Sequence, residues 1–538
     1  MKKAVYFVAC TIISGFTFAQ TLESAKEKTA YERYDEATKD FTTLISKNPS
    51  SAENYFYLAE NYLQSEKLDS ASIYWNKAYE TSPENALSLV AKGKVLWLKG
   101  NKGEAFAQFE AAIKASKKKN GEVFRQIGSI LTEAPVKDLD KAISYLRTAV
   151  EVDPQNVEGY LLLGDAILEK DPKNGTDAIR EYNNAEKIQQ SPRTIVRKAK
   201  LYQRARNYKL ADEMYVQAQT LDAKYAPAYK AHAELQGLFG KYDLAIENWK
   251  KYLALNDNNY ARYKYAAALY SSQKYCDALK EAQDLKAKNY TSIYVERIDI
   301  YSTYECLESS ADKNDPAKFE AGFKKINDFI SKYSAKNEAI GMDYKYQAMY
   351  LSKLGKTDEA IAAYYKAAED STVAQEVLSG LAKTFTKAEK YDEAIKAYNK
   401  IIEKDSNALS LADYFELGRI YFLAKDYANS DKANAHVLKL SPTYSFSHFW
   451  RGRANVYMDL DKTTWAAKPH YEGYLNNTSD EQKIQYKNMT LEAYKYLGDY
   501  YINSPEKNIE KAKEIWTKII ELEPENESNK KILDKLNK

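Results

Sequence analysis

The stretch SPTYSFSHFWRGRANVYMDLD, Ser441 to Asp461, gathers one histidine, one tryptophan, two arginines and four Phe or Tyr rings. Three of the chain's four histidines, His436, His448 and His470, lie in it or beside it, and His232 is far away. Imidazoles drawn from neighbouring helices are what a zinc ion takes in threes and fours. No two of these three show the i, i+4 spacing that puts a pair of ligands on one helix face, and no cysteine is close. They therefore read as histidines packed at helix interfaces, with His436, His448 and His470 metal candidates by type alone. The arginines and rings suit another chemistry, because Arg, Trp, Tyr and Phe are the residues that anchor protein contacts.

Catalytic patterns are missing elsewhere. The basic-flanked glycines Gly93 and Gly452 sit inside helical patterns, with no strand before them to build a phosphate loop. No His-Glu-x-x-His, Cys-x-x-Cys or nucleophile elbow occurs. Carboxylate pairs are spread along solvated helix faces and single out no acid and base. The sequence reads as a chain that is not an enzyme and needs no cofactor.

The elements that would position such residues follow from composition and periodicity. With 19 glycines and 12 prolines in 538 residues, and 44% hydrophobics against 29% charged residues, the chain is too apolar for disorder and too poor in turn formers for a β protein. The 79 basic and 76 acidic residues leave a formal charge of +3, which carries no nucleic-acid footprint. Tyrosine, at 47, supplies amphipathic rings for helix packing and for contact surfaces.

The N-terminus, MKKAVYFVACTIISGFTFAQ, has a Lys pair, a short apolar run and a small residue before Gln20. These are the parts of a secretory signal peptide, 1–19, with cleavage after Ala19. A lipid-anchored reading at Cys10 is disfavoured, because Phe7-Val8-Ala9 leaves too little apolar run ahead of the cysteine. No later segment reaches the length of a membrane span. The expected location is the periplasm, with outer-membrane association only through partners. Cys276 and Cys306 remain in the mature chain, either as two thiols or as one disulfide allowed by an oxidising compartment.

One unit recurs about every 34 residues. In NYFYLAENYLQSEKLDSASIYWNKAYETSPEN, Leu58, Ala59 and Tyr62 share a helical face, and Ala71, Trp75, Ala78 and Pro83 follow. The same grammar returns at Gly93, Leu96, Ala105, Phe109 and Ala112, at Gly164, Ala178, Tyr182 and Ala185, and at Gly452, Ala467 and Tyr471. Small residues suit close helix crossings, rings fill the space between helices, and Pro ends the second helix. Each hairpin has an apolar side that only its neighbour can bury, so stability sums along a stack. The expected organisation is an N-terminal array over 20–259, irregular repeats with an inserted loop over 260–340 that form a joint, a C-terminal array over 341–527, and a polar capping helix over 528–538.

This pattern resembles the tetratricopeptide repeat across nearly the whole mature chain. The resemblance implies an all-α, right-handed superhelical solenoid of about thirteen helix-turn-helix repeats. The segments FWRGRANVYMDLD, AAKPHYEGYLNNTSDEQ and EAYKYLGDYYI are also similar to the closing module of secreted multi-repeat proteins of Bacteroidota. In the family the first helix of each hairpin lines a concave groove where partners bind. Carried over by register, the groove candidates are Phe415, Arg419, Phe422, Phe446, Phe449, Arg453 and Tyr457, with Trp450 left to packing. Further up, Glu122, Glu133, Glu158, Asp165 and Glu169 make an acidic stretch, and Arg193, Lys200, Arg204 and Lys230 a basic one, which together would read a long partner's charge pattern. The Lys and Asn arrangement of the family's chaperone-tail clamp is not found.

The function expected is a periplasmic scaffold that binds envelope proteins or extended peptide segments through its groove, within an outer-membrane assembly, secretion or motility complex. The alternative is a module for envelope polysaccharide or peptidoglycan, its tyrosines stacking on sugar rings. No nucleic-acid partner is expected.

Overall fold

The computed structural model describes residues 21–404 and 409–538, and every regular element among them is helical. The signal-peptide expectation for 1–19, and Cys10 with it, falls outside the described residues. The chain divides into two compact units, Met1–Ser302 and Thr303–Lys538. This boundary lies inside the helix Ile293–Glu308 and within the irregular stretch 260–340.

In the first unit the helices are α1 (Leu22–Ala30), α2 (Tyr34–Lys47), α3 (Ala52–Gln64), α4 (Leu68–Thr81), α5 (Ala86–Leu98), α6 (Lys102–Ala115), α7 (Gly121–Glu133), α8 (Leu139–Val152), α9 (Val157–Lys170), α10 (Gly175–Ile188), α11 (Pro192–Arg204), α12 (Tyr208–Leu221), α13 (Ala226–Leu238), α14 (Tyr242–Leu255), α15 (Asn259–Ser271) and α16 (Tyr275–Ala287). Next come α17 (Ile293–Glu308) and α18 (Pro316–Ser334). The second unit continues with α19 (Gly341–Lys353), α20 (Thr357–Ala368), α21 (Ala374–Lys387), α22 (Tyr391–Lys404), α23 (Leu411–Leu423), α24 (Tyr427–Leu440), α25 (Ser445–Met458), α26 (Lys468–Asn476), α27 (Asp480–Gln485), α28 (Lys487–Asn503), α29 (Ile509–Leu522) and α30 (Glu527–Leu536). Hairpins pack helix on helix, eight from α1/α2 to α15/α16, four from α19/α20 to α25/α26, and α28/α29, and between these sets Tyr304 of α17 meets Phe319 of α18 edge-on at 5.8 Å.

Local chemistry explains the repeat. Helices that open a hairpin begin on oxygen-bearing caps: Ser51 accepts from the Asn54 N–H, Asn85 from Leu87, Asn156 from Gly159 and Ser191 from Thr194. The turn inside the hairpin is closed by a residue at left-handed φ, as at Glu66 (60°), Gly100 (81°) and Lys425 (64°). The next N–H then reaches back to a carbonyl of the last turn, Lys67 to Tyr62 at 2.9 Å and Asp426 to Tyr421 at 2.9 Å. At the helix crossing the small residue is a steric requirement. A β-carbon on Gly452 would lie 2.8 Å from the Tyr471 ring, and one on Gly164 would run into the Tyr182 ring.

The inserted loop is followed by α18, whose Pro316 opens the helix while Asp315 caps it by accepting from the Ala317 N–H. At 19 residues α18 is longer than any other helix described. α27 is an extra short helix that delays the last hairpin.

Candidate functional site: the groove faces of the two units

In the first unit the first helices of the hairpins do line a groove. Side chains of α3, α7, α9 and α11, with α1, enclose a space of about 810 Å³. Its walls carry charge, and most of that charge is paired internally. Arg193 binds Glu158 at 2.6 Å, Arg197 binds Asp165 at 2.7 Å, and Arg125 pairs with Glu122 and with Asp153 at 3.0 Å. Lys137 pairs with Glu169 at 2.5 Å. Most of the acidic stretch expected to read a partner's charges is therefore neutralised within the groove wall, by Arg125, Lys137, Arg193 and Arg197. Arg193–Glu158 and Arg197–Asp165 join residues about one repeat apart, so stacking sets them side by side.

Of the basic candidates, Lys230 is held by Glu32 at 3.4 Å, whereas Lys200 and Arg204 are exposed and form no ion pair among the described residues. Although its side chain is exposed, Lys200 stands within the groove wall, and the desolvation there, then the neighbouring Arg197, push its ammonium below its ordinary value. Glu133 of α7 lines the same groove, open to solvent on one side yet walled in by protein, with its carboxyl pushed up to about 7 by burial. Glu122 ends below its ordinary value: burial pushes it up, and Arg125 with hydrogen bonds from Gln126 and Tyr57 outweighs that. Under this wall lies a buried network. Lys94, 0% exposed, donates to Glu60 Oε1 and Gln126 Oε1, each at 2.6 Å, and Trp75 Nε1–H donates to Glu60 Oε1 at 2.9 Å.

In the second unit the groove-facing register of α23 and α25 carries an arginine and ring cluster. The Arg453 guanidinium lies 5.4 Å from the centre of the Phe422 ring, 5.6 Å from Phe449 and 5.3 Å from Trp450, and Arg419 lies 5.7 Å from Trp450. Such stacking fixes the guanidinium planes and leaves polar edges for a partner. Arg453 Nε sits 3.0 Å from Glu492 Oε1 but off the N–H direction, so this pairing is ionic without a directed hydrogen bond. Arg419 pairs with Glu416 at 3.0 Å. Phe422 meets Trp450, Tyr427 and Tyr457 edge-on, and Tyr457, 45% exposed, stacks on Tyr427 at 4.8 Å.

One expectation for this face needs correction. Phe449 is a core residue, 2% exposed, with Tyr471 and Tyr474 across it at 5.9 and 5.3 Å, so it is not a groove contact. Trp450 packs as expected, half-buried against the core around Phe449, Tyr471 and Tyr474, and its outer face also stands in the arginine cluster. Phe415 and Phe446 are half-buried, edge-on to Tyr444 and Tyr486 at 5.3 and 4.9 Å. Arg451 is locked in a fork to Asp431, at 2.8 and 3.1 Å.

The histidines are structural. His448 Nε2–H donates to the Pro442 carbonyl at 3.0 Å, and its Nδ1 is buried against Gly473 with no partner among the described residues. His436 stacks on Tyr414 at 4.1 Å. Burial, and then Arg451, lower the His470 pKa to about 4, so its ring is neutral. Among the described residues no three His, Cys, Asp or Glu side chains converge to hold a metal. Cys276 and Cys306 are both disulfide-bonded.

Stacked helical hairpins with close small-residue crossings define the class of an α-solenoid built for contact. The tetratricopeptide-repeat family model matches residues 58–120, 137–192, 347–408 and 380–445, so these segments carry tetratricopeptide repeats. It is similar to the C-terminal part of a repeat protein from Cytophaga hutchinsonii, with 28% identity over 50% of this chain and 97% of that chain and a TM-score of 0.41. A tetratricopeptide repeat protein from Parabacteroides merdae is 17% identical over 47% of this chain and 98% of that one, at a TM-score of 0.33. The "Protein CTR9 homolog" of Arabidopsis thaliana is 22% identical over 151 residues, which is 27% of this chain and 14% of that relative's length. The repeats make the chain a protein-interaction scaffold. No helix among the described residues is long and apolar enough to cross a membrane.

Proposed function

We propose that the chain is a non-catalytic scaffold of the cell envelope that docks protein partners on the groove face of its second unit. The carrying observation is the Arg453 guanidinium held among Phe422, Phe449 and Trp450 beside the exposed Tyr457. Arginine and aromatic anchors, immobilised in advance, bind a partner at low entropic cost. Export to the periplasm rests on the N-terminal pattern, and the disulfide-bonded state of Cys276 and Cys306 supports an oxidising compartment. An assembly, secretion or motility complex of the outer membrane is the setting we assign.

The test is co-purification from envelope extracts with wild type and with Arg453→Ala/Tyr457→Ala. The variant should lose its partners with its helical circular dichroism intact. Retention of every partner would remove this face from the account.

A second reading, envelope polysaccharide or peptidoglycan, is favoured by a row of tyrosines in the first unit. Tyr260 and Tyr294, 44% and 57% exposed, flank Tyr263 at 6.5 and 6.1 Å, with Lys264 beside both Tyr260 and Tyr263. Retarded migration in gels containing the polymer, abolished by Tyr260→Ala/Tyr294→Ala, is its expected result; unretarded migration across several polymers rejects it.

A further inference from the structure

The turn between α1 and α2 makes contacts that nothing in its own hairpin requires. Tyr31 and Glu32 reach across the first unit to the face made by α13, α14 and the turn before them. The Tyr31 ring meets Tyr225 edge-on at 5.1 Å, and its hydroxyl donates to Asp222 Oδ2 at 2.5 Å. The Glu32 carboxylate takes the Tyr252 hydroxyl at 2.6 Å and faces the Lys230 ammonium at 3.4 Å. An aromatic ring with a polar tip, followed at once by an acid, is thus bound by an edge, a carboxylate, a phenol and a cation that converge from elements some 190 to 220 residues away. The hairpin does not depend on these contacts for its own fold. Ala25, Ala37 and Phe41 are buried beneath it, and Asn61 of α3 donates to the Tyr34 carbonyl at 3.1 Å.

We infer that this face is a recognition site for an aromatic–acidic turn of a partner protein, and that the chain's own Tyr31-Glu32 tip is its resident occupant, covering the face until a partner segment of the same chemistry displaces it. This surface is separate from the one on the second unit and stands or falls independently of it. The occupant's chemistry is set by complementarity: Lys230 and the Tyr252 hydroxyl demand an anion, and Asp222 demands a donor placed one ring-length before it. A tethered tip competes at an effective concentration of about millimolar, so a free segment binds the closed chain poorly.

The probe is a fluorescent peptide of residues 27–36, titrated by anisotropy into the full chain. The opened variant is Tyr31→Ala/Glu32→Asn, since Asn tolerates the left-handed φ of 58° at that position. The expected result is roughly tenfold tighter peptide binding to the opened variant than to wild type, which is what removal of a competitor near millimolar gives when the segment's own Kd is about 0.1 mM. That gain should vanish when Lys230→Ala/Tyr252→Phe is added. Hydrogen exchange over 226–255 reports whether the tip has left. Faster exchange there without tighter binding means that the face does not recognise this chemistry. Unchanged exchange means that the tip was not covering it. Either result overturns the inference.

Discussion

Lys94→Met places the sharpest demand on the physical reading of the first unit. The methionine keeps the length of the alkyl stem, which preserves packing against Trp75 and Phe56, whose ring centres lie 5.2 Å from the ammonium. It removes the charge that neutralises Glu60 at 2.6 Å, leaving that carboxylate buried with the Trp75 N–H. Breaking one half of a buried pair costs about 3–5 kcal/mol while the other half stays ionised. Glu60 already titrates above its ordinary value, because burial raises it more than Lys94 lowers it. A carboxyl raised on folding contributes full stability below its unfolded value and loses it as pH rises through the folded one. Without Lys94 the folded value climbs further, so the cost of the substitution is largest in alkali and shrinks as Glu60 takes up a proton. The residue then pays only the ~1–3 kcal/mol of an imperfectly bonded neutral group.

Because a stack of repeats does not melt as one two-state unit, the readout is local: amide exchange over α3 and α5, corrected for intrinsic rates. Exchange there should accelerate between roughly a hundredfold and a few thousandfold near pH 8, and by much less near pH 5. The further change Glu60→Gln should reduce the pH dependence to the part carried by Glu133, whose carboxylate Lys94 also favours. Equal acceleration at both pH values would mean that Lys94 matters only as packing, and would refute the electrostatic account.

Other expected outcomes are shorter to state. Phe449→Ala empties a core site between Tyr471 and Tyr474 and should cost about 3–5 kcal/mol, whereas Tyr457→Ala should cost under about 1 kcal/mol; amide exchange over α25 and α26 compares them. Gly452→Val should loosen the α25/α26 crossing, seen as faster exchange over 445–476, because its side chain would enter the space of the Tyr471 ring. His470 binds its proton more weakly folded, near 4, than unfolded, so it contributes stability that is lost as pH falls from about 6.5 toward 4; His470→Gln should flatten that loss in exchange over α26.

The repeat was legible because it is local chemistry counted many times. Gly93 against Phe109 and Gly452 against Tyr471 are each a crossing whose two residues stand within one repeat, so spacing alone announces the contact. The left-handed turns at Glu66 and Gly100 obey the same count. What failed lay beyond a repeat's own grammar. The register put Phe449 in the groove, but α26 is only 9 residues long and enters after a loop organised by Asp459, which accepts from the Trp465 N–H at 2.7 Å. That entry seats Tyr474 over Phe449 and leaves the outer face of Trp450 to the arginines. The charge stretches were read one helix at a time, although an acid and a base about one repeat apart on the same face, such as Asp165 and Arg197, were a visible signal of pairing. The Tyr31-Glu32 contacts had no such signal, since curvature accumulated over six repeats brings them about.

The central claim is that partners dock on the arginine and ring face of α23 and α25. Its most direct measurement is in-cell photocrosslinking from a benzophenone amino acid at position 457, compared with one at Leu440, which is exposed at the end of the hairpin's second helix. The account predicts a discrete protein adduct from position 457 and none of that identity from 440. No adduct from 457, or the same adduct in equal yield from 440, would contradict it.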